Sequence, residues 1–310
     1  MSVSDSTQRP WVVWRLTDGK PGHESQSLGL VQALQRLHPV LCEDMPVAGL
    51  GLGPLSWVGG RFPPGVGKPA PDLILGAGHG THWPLLCARR VHGGRALALM
   101  KPSLPGAWFD WVVAPAHDEM RGDQVIVTQG VLNAMQPGRK RQGRVLVLVG
   151  GVSKHFIWDD ARVMAQIDAI LAAFPQAAIT DSRRTPEALR NELAARYADF
   201  YHPWNDCPPG WLANELAVAE SVWVSEDSVS MIYESLTAGC AVGLIGLQRP
   251  DKAAGRLVRG IETLVQAGQV VRFDDWHAGR ILRPAEPPLR EADRVARQVA
   301  AGLAARQGVA

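Results

Sequence analysis

The sequence predicts an α/β fold made of two consecutive domains, each built on a parallel sheet, and three observations carry that prediction. Its 310 residues exceed what one hydrophobic core usually supports and suit two domains of about 150 residues each. Apolar runs of strand length alternate with stretches of helical period along the whole chain, the pattern that gives parallel sheets with sites at the strands' C-terminal ends. The pattern also restarts after the basic, Gly- and Pro-bearing stretch QPGRKRQGR (136–144), so the boundary is placed between domains 1–143 and 144–288.

In chain order, WVVWRLT (11–17) reads as a buried strand and DGKPGH (18–23) as the loop after it. A helix follows with Leu28, Val31, Leu34 and Leu37 at helical spacing. DLILGAG (72–78), ALALMK (96–101) and WVVAPAHD (111–118) repeat the theme of an apolar strand ending in a polar or Gly-rich turn. RVLVLVGG (144–151) opens the second series, and 159–174 places Met164, Ile167, Ile170, Leu171 and Phe174 on one helical face. QAAIT (176–180) leads into a helix with Thr185 as N-cap and Pro186 as first helical residue. SVWVS (221–225), a helix within 226–239 and the strand CAVGLIG (240–246) follow, and a Pro-rich segment (284–288) precedes a terminal helix from about Leu289 to Ala305. The two domains are expected to face each other across a cleft.

Composition excludes several classes. With 46% hydrophobic and 20% charged residues the chain is neither disordered nor collagen-like. A formal charge of 32 − 30 = +2 supplies no global field to gather nucleic acid, so any anion site must be local. Only six of the 32 basic residues are Lys. Arg suits bidentate phosphate binding, although biased codon usage produces the same excess. Cys42, Cys87, Cys207 and Cys240 stand far apart without a CxxC, which points to a reducing compartment. The N-terminus has no signal-like or presequence-like pattern and no apolar run approaches membrane-spanning length, so the expectation is a cytoplasmic protein, with peripheral contact at an inner membrane left open.

The most informative stretch is 224–239, VSEDSVSMIYESLTAG. If Asp227 caps the helix, then Asp227, Ser230 and Glu234 fall near one face. The N–H groups at such a helix start, with Ser228 and Val229, favour phosphate, and a carboxylate one turn on suits ribose hydroxyls. The same pattern is also produced by a plain capped helix with a solvated glutamate. Ser182, Arg183 and Arg184 put two guanidiniums before another helix start, where they serve either a bound anion or a partner carboxylate such as Asp181 or Glu187. Gly150, Gly151, Ser153 and Lys154 form a further candidate phosphate cradle. In the first domain Asp18, Lys20 and His23 share one strand-to-helix loop, His79 and His82 another, and His117-Asp118 a third. Histidines in such turns act as general bases or are merely solvated. There is no HExxH, DxD, G-x-S-x-G or P-loop signature, so no metal site, α/β-hydrolase or P-loop enzyme is expected.

These residues resemble the mitochondrial fission Elm family, bacterial and plant proteins whose bacterial members are often described as nucleoside-diphosphate-sugar epimerase-like. The carriers are WRLTDGKPGHESQSLGL (14–30), APAHD (114–118), VTQGVLN (127–133), VLVGGVSKHF (147–156), ITDSRRTP (179–186) and VSEDSVSMIYESLTAG (224–239), spread over nearly the whole chain. The sequence departs from the family pattern at 207–211, Ser235 and Ala241. That family in turn resembles GT-B glycosyltransferases. The resemblance implies two Rossmann-like domains, a nucleotide-sugar donor in the C-terminal one, no bound metal or other cofactor, and a terminal helix 289–310 packed back on the N-terminal domain. It implies a transferase moving sugar to an unknown acceptor hydroxyl, such as that of a cell-envelope glycan or glycolipid. Gly151, Ser153, Lys154, Ser182, Arg183, Arg184, Asp227, Ser228, Val229, Ser230, Met231 and Glu234 would contact the donor, and Asp18 or His23 would be the base. Nucleotide-sugar epimerisation and a non-catalytic partner-binding role at a membrane are the rival readings.

Overall fold

The structure, a computed structural model, describes residues 9–250 and 255–307. It divides into two compact units, one comprising the chain up to Ala134 together with the segment from Arg290 on, the other Met135–Leu289. The division precedes the basic loop because that loop is bonded into the second unit. Gly138 donates its N–H to the Ala217 carbonyl (3.1 Å) and Lys140 its ammonium to the Leu216 carbonyl (2.8 Å).

The first unit runs β1 (Trp11–Thr17), α1 (Pro21–Gln35), β2 (Val40–Pro46), α2 (Pro54–Val58), β3 (Leu73–Ala77), α3 (His82–His92), β4 (Arg95–Leu99), β5 (Trp111–Pro115) and β6 (Val125–Thr128). Its sheet has the order β2-β1-β3-β4-β5-β6 with parallel pairings. Strand alternation makes two cores. Trp11 and Val13 face one cluster with Leu30, Val31 and Leu34 of α1, while Val12, Trp14 and Leu16 face another with Phe62, Leu85 and Leu86. A strand buried on both sides is why β1 reads as a near-continuous apolar run.

The expected apolar face of α1 is corrected. Leu28 and Leu37 are exposed, and the buried face is Gln26, Gly29, Leu30, Ala33 and Leu34 with Val31. Gly29 sets that rotation, because a Cβ there would lie 2.2 Å from the Asn133 carbonyl oxygen, so only glycine lets the two backbones touch.

The second unit runs β7 (Arg141–Leu148), α4 (Asp160–Ala173), β8 (Ala178–Thr180), α5 (Glu187–Arg196), β9 (Tyr201–His202), α6 (Trp211–Val218), β10 (Ala219–Ser225), α7 (Val229–Thr237), β11 (Ala241–Ile245), α8 (Arg256–Gln266), β12 (Val270–Arg272) and α9 (Phe273–His277). Its sheet order is β12-β11-β10-β7-β8-β9, again with parallel pairings. A final helix, α10 (Glu291–Gln307), belongs to the first unit. Val295, Ala296, Val299 and Leu303 join the cluster of Leu30, Val31 and Leu34, and Arg36 pairs with Asp293. None of the four cysteines is in a disulfide, and no helix among the described residues is long and apolar enough to cross a membrane.

Candidate functional site

In an open parallel sheet the connections leave toward opposite faces where the strand order reverses, which opens a crevice at the strands' C-terminal ends. The reversals lie between β1 and β3 in the first unit and between β7 and β10 in the second. Asp18, His23, His79 and His82 follow the strands at the first reversal and Gly150, Gly151 and Asp227 those at the second, while Ser182, Arg183 and Arg184 follow β8 and His117 and Asp118 follow β5.

At the second reversal, the loop after β7 is tied to the loop after β10. Gly150 donates its N–H to Ser225 Oγ (2.7 Å), Gly151 donates to Asp227 Oδ2 (3.0 Å), and Ser225 Oγ donates to Asp227 Oδ1 (2.7 Å). Arg184 pairs with Asp227 Oδ2 at 2.7 Å and donates to the carbonyls of Gly151 and Val152, each at 3.1 Å. A Cβ on Gly150 would lie 2.4 Å from the Asp227 carboxylate oxygens, and one on Gly151 2.0 Å from the Arg184 carbonyl oxygen. The glycines therefore admit protein groups, and their N–H groups are already engaged. Burial pushes the Asp227 carboxyl up, while the bonds from Gly151, Ser225 and Arg184 pull it back toward the charged form.

These contacts correct the expected cradle. Asp227 does not cap the following helix. The N-cap of α7 is Ser228, without a side-chain capping bond, and Asp227 is fully covered beneath it. Arg184 is held by Asp227 and two carbonyls, not left for an anion. Thr185 is not the cap of α5 either. Pro186 occupies that position, and Thr185 Oγ1 instead donates to the Val149 carbonyl (3.2 Å) and to the Gly150 carbonyl. Ser182 Oγ donates to the Gly150 carbonyl at 2.9 Å and accepts from the Arg184 N–H.

What remains accessible is a smaller set. The Arg183 guanidinium and the Lys154 ammonium are exposed, with no hydrogen bond or ion pair among the described residues. Ser153 is half-buried, and its Oγ accepts the His155 N–H. The first turn of α7, with Val229, Ser230 and Met231, begins without a side-chain cap and so presents backbone N–H groups. Ser230 and Glu234, four residues apart, share one face of α7. The Glu234 carboxyl is half-buried without a hydrogen-bond or ion-pair partner among the described residues, and burial pushes it up to about 7. Trp204, 40% exposed, follows β9 and donates its backbone N–H to Asp181 Oδ1 at 2.7 Å.

At the first reversal, Asp18 and His23 meet. His23 Nδ1 lies 2.9 Å from Asp18 Oδ2, and the carboxylate is nearly covered. The carboxylate fixes the proton on Nδ1 and leaves Nε2 as the basic nitrogen. The ring rests against Gly78, at φ +82°, where a Cβ would be 2.1 Å from His23 Cε1. The glycine of the β3 turn thus serves a histidine in the first turn of α1, which begins at Pro21 and so takes in the end of the expected 18–23 loop. Beside it, His79 Nδ1 and His82 Nδ1 lie 2.9 and 3.0 Å from Ser103 Oγ. His82 is held neutral, its pKa lowered to about 4 by burial and then by His79 and His23. Ser103 carried no sequence signal, because its role depends on β4 lying beside β3. His117 and Asp118 form a single turn after β5. Among the described residues no group of three or more His, Cys, Asp or Glu is placed to hold a metal ion.

The family model described as Mitochondrial fission ELM1 matches residues 21–303. The chain belongs to this family. Among solved structures, this ELM1-family chain is similar to a Listeria monocytogenes protein provisionally assigned as a UDP-N-acetylglucosamine 2-epimerase (13% identity, 97% and 98% of the two chains, TM-score 0.63). It is also similar to a UDP-N-acetylglucosamine 2-epimerase (14%, 87% and 85%, 0.52) and an E. coli heptosyltransferase solved with ADP (11%, 93% and 98%, 0.48). No curated protein sequence matches significantly. At these identities the likeness is one of fold, and the fold that this ELM1-family chain shares with the two epimerase structures is α/β, here two parallel six-stranded sheets with interleaved helices.

Proposed function

We propose that this protein is a metal-independent glycosyltransferase that takes a sugar from a nucleoside-diphosphate sugar to an acceptor hydroxyl. The observation that carries the reading is the Asp18–His23 pair, in which a nearly covered carboxylate fixes the imidazole and leaves Nε2 as base. In the reaction His23 Nε2 takes the acceptor hydroxyl proton, the oxygen bonds to the anomeric carbon, and the bond from that carbon to the diphosphate oxygen breaks. Arg183 and the N–H groups of Val229, Ser230 and Met231 stabilise the charge gathering on the leaving diphosphate. Ser230 and Glu234 take donor hydroxyls. Asp227 and Arg184 act as positioning residues that fix the β7 and β10 loops.

The test is calorimetry of a nucleoside-diphosphate panel in EDTA, followed by donor turnover with and without candidate hydroxyl acceptors. Nucleoside diphosphate should bind in EDTA, and donor should be consumed only with acceptor present. Affinity that vanishes on chelation would sink the metal-free mechanism. Donor isomerised without acceptor would assign the epimerase instead, and binding of no nucleotide would leave a partner-binding role.

A further inference from the structure

The segment between β2 and β3 is rooted in the first unit and carries exposed apolar side chains along its length. Phe62 and Val47 are buried in the core with Trp14, and Cys87 of α3 lies against the Gly53 carbonyl. Beyond these roots the side chains turn outward. Leu55 is 89% exposed, Val66 79% and Val58 66%, with Leu50 also exposed. A helix of one turn, α2, that leaves Leu55 and Val58 outside buries nothing on that side. Scattered exposed apolar residues need no explanation, but four aliphatic ones on the one stretch 50–66 mark a contact surface.

Its charge says what kind. From Met45 to Pro71 there is no acidic residue, and the charged ones are Arg61 and Lys68. Lys68 pairs with Glu43, while Arg61 is exposed. On the flanking helix α3, exposed Arg90 lies with its guanidinium 4.7 Å above the Trp57 ring. Exposed apolar side chains, a tryptophan on the same short helix and unopposed guanidiniums beside it are the parts of a segment that sits at the headgroup level of an anionic bilayer. A second copy of the chain fits less well, because a two-fold contact through this segment would bring the same basic side chains toward each other.

We infer that the segment 47–68 docks the protein on an anionic phospholipid surface, with Leu55, Val58 and Val66 entering the acyl boundary and Arg61 and Arg90 meeting lipid phosphates. The inference stands apart from the proposed transferase activity. It is tested by co-sedimentation of the full chain with vesicles of phosphatidylcholine alone or with about 30% phosphatidylglycerol, at low and high salt. The protein should pellet with the anionic vesicles alone and be released by salt. Leu55→Asp with Val58→Asp should weaken that binding by about tenfold or more with an unchanged thermal midpoint, since neither side chain is buried. Leu55→Gln, a milder change, should give a smaller loss and keeps the test open if the double variant fails to fold. Equal pelleting on both vesicle types, no pelleting, or variants that bind like the parent would overturn the inference. So would a self-associating protein that ignores vesicles and that the double variant converts to monomer.

Discussion

After β1 an aspartate and a histidine meet at 2.9 Å with the imidazole Nε2 unclaimed among the described residues, while after β10 an aspartate is closed in by Ser225, Gly151 and Arg184. Both lie where the order of a six-stranded parallel sheet reverses. In the first unit the carboxylate is held by His23 and, at longer range, by the Lys20 N–H (3.3 Å) and ammonium (3.9 Å), and the imidazole keeps a free end, so the pair can exchange a proton with something outside. In the second unit every strong donor near the carboxylate is pointed at it, so the group shapes the loops. An acidic residue in a strand-end turn thus takes opposite roles according to whether its protein donors end at it or, like an imidazole, offer a second nitrogen to the outside.

Three kinds of substitution sharpen that contrast. The largest effect is expected from His23→Gln, which should lower turnover about 10²–10⁴-fold while nucleotide affinity, measured by calorimetry, stays within about twofold. Equal loss of both would place His23 in binding. Asp227→Ala should act through stability. It strands a guanidinium and a buried N–H, and breaking such a pair costs about 3–5 kcal/mol when fully buried, less here because Arg184 is 43% exposed. Denaturant unfolding should show the drop, whereas Asp18→Ala should unfold close to the parent. A stable Asp227→Ala would erase the distinction. Next in size, Arg183→Ala should weaken a nucleoside diphosphate about ten- to hundredfold and a nucleoside hardly at all, read by paired titrations.

The smallest expected effect is on pH dependence. Glu234 has a folded value of about 7 against an ordinary value of 4.5, so the native state holds a proton that the unfolded chain has released between those limits. Its contribution to stability therefore falls as pH rises from about 4.5 to about 7. His82 acts in the other sense, since its value near 4 lies below the ordinary 6.5 and its contribution rises over that interval. Glu234→Gln should remove a falling component from the stability profile, visible between about pH 4.5 and 7 as the difference between variant and parent, in which the His82 contribution cancels. A variant profile parallel to the parent's up to pH 7 would show that Glu234 is not desolvated.

The strands legible in the sequence were those buried on both faces. WVVWRLT, LILGA, RVLVL and SVWVS announce themselves because a central parallel strand needs no polar side. The edge strands β2, with Glu43 and Asp44, and β9, with two residues, lack that signal. Helix register was harder: Leu28 and Leu37 fit the period as well as Leu30, and only the approach of Asn133 to Gly29 selects one face. The candidate site divides similarly. Asp18 and His23 are legible together because they lie five residues apart, one in the turn after β1 and the other in the first turn of α1. The role of Asp227 is not legible in the same way, because a capping aspartate and one reaching across to a neighbouring strand's loop look identical in sequence. The pairing of His79 and His82 with Ser103 joins elements whose adjacency only the sheet order reveals.

The return of α10 has a consequence for the order of events during synthesis. Val295, Val299 and Leu303 fill the same core as Leu30 and Leu34, so the unit that emerges first from the ribosome lacks one wall until the far end of the chain follows. The unit from Met135 to Leu289 draws on no later segment and can close as soon as it emerges. The part translated second is therefore the first to be finished. A nascent chain halted before α10 would carry one complete unit and one with a bare apolar face, the kind of surface chaperones hold.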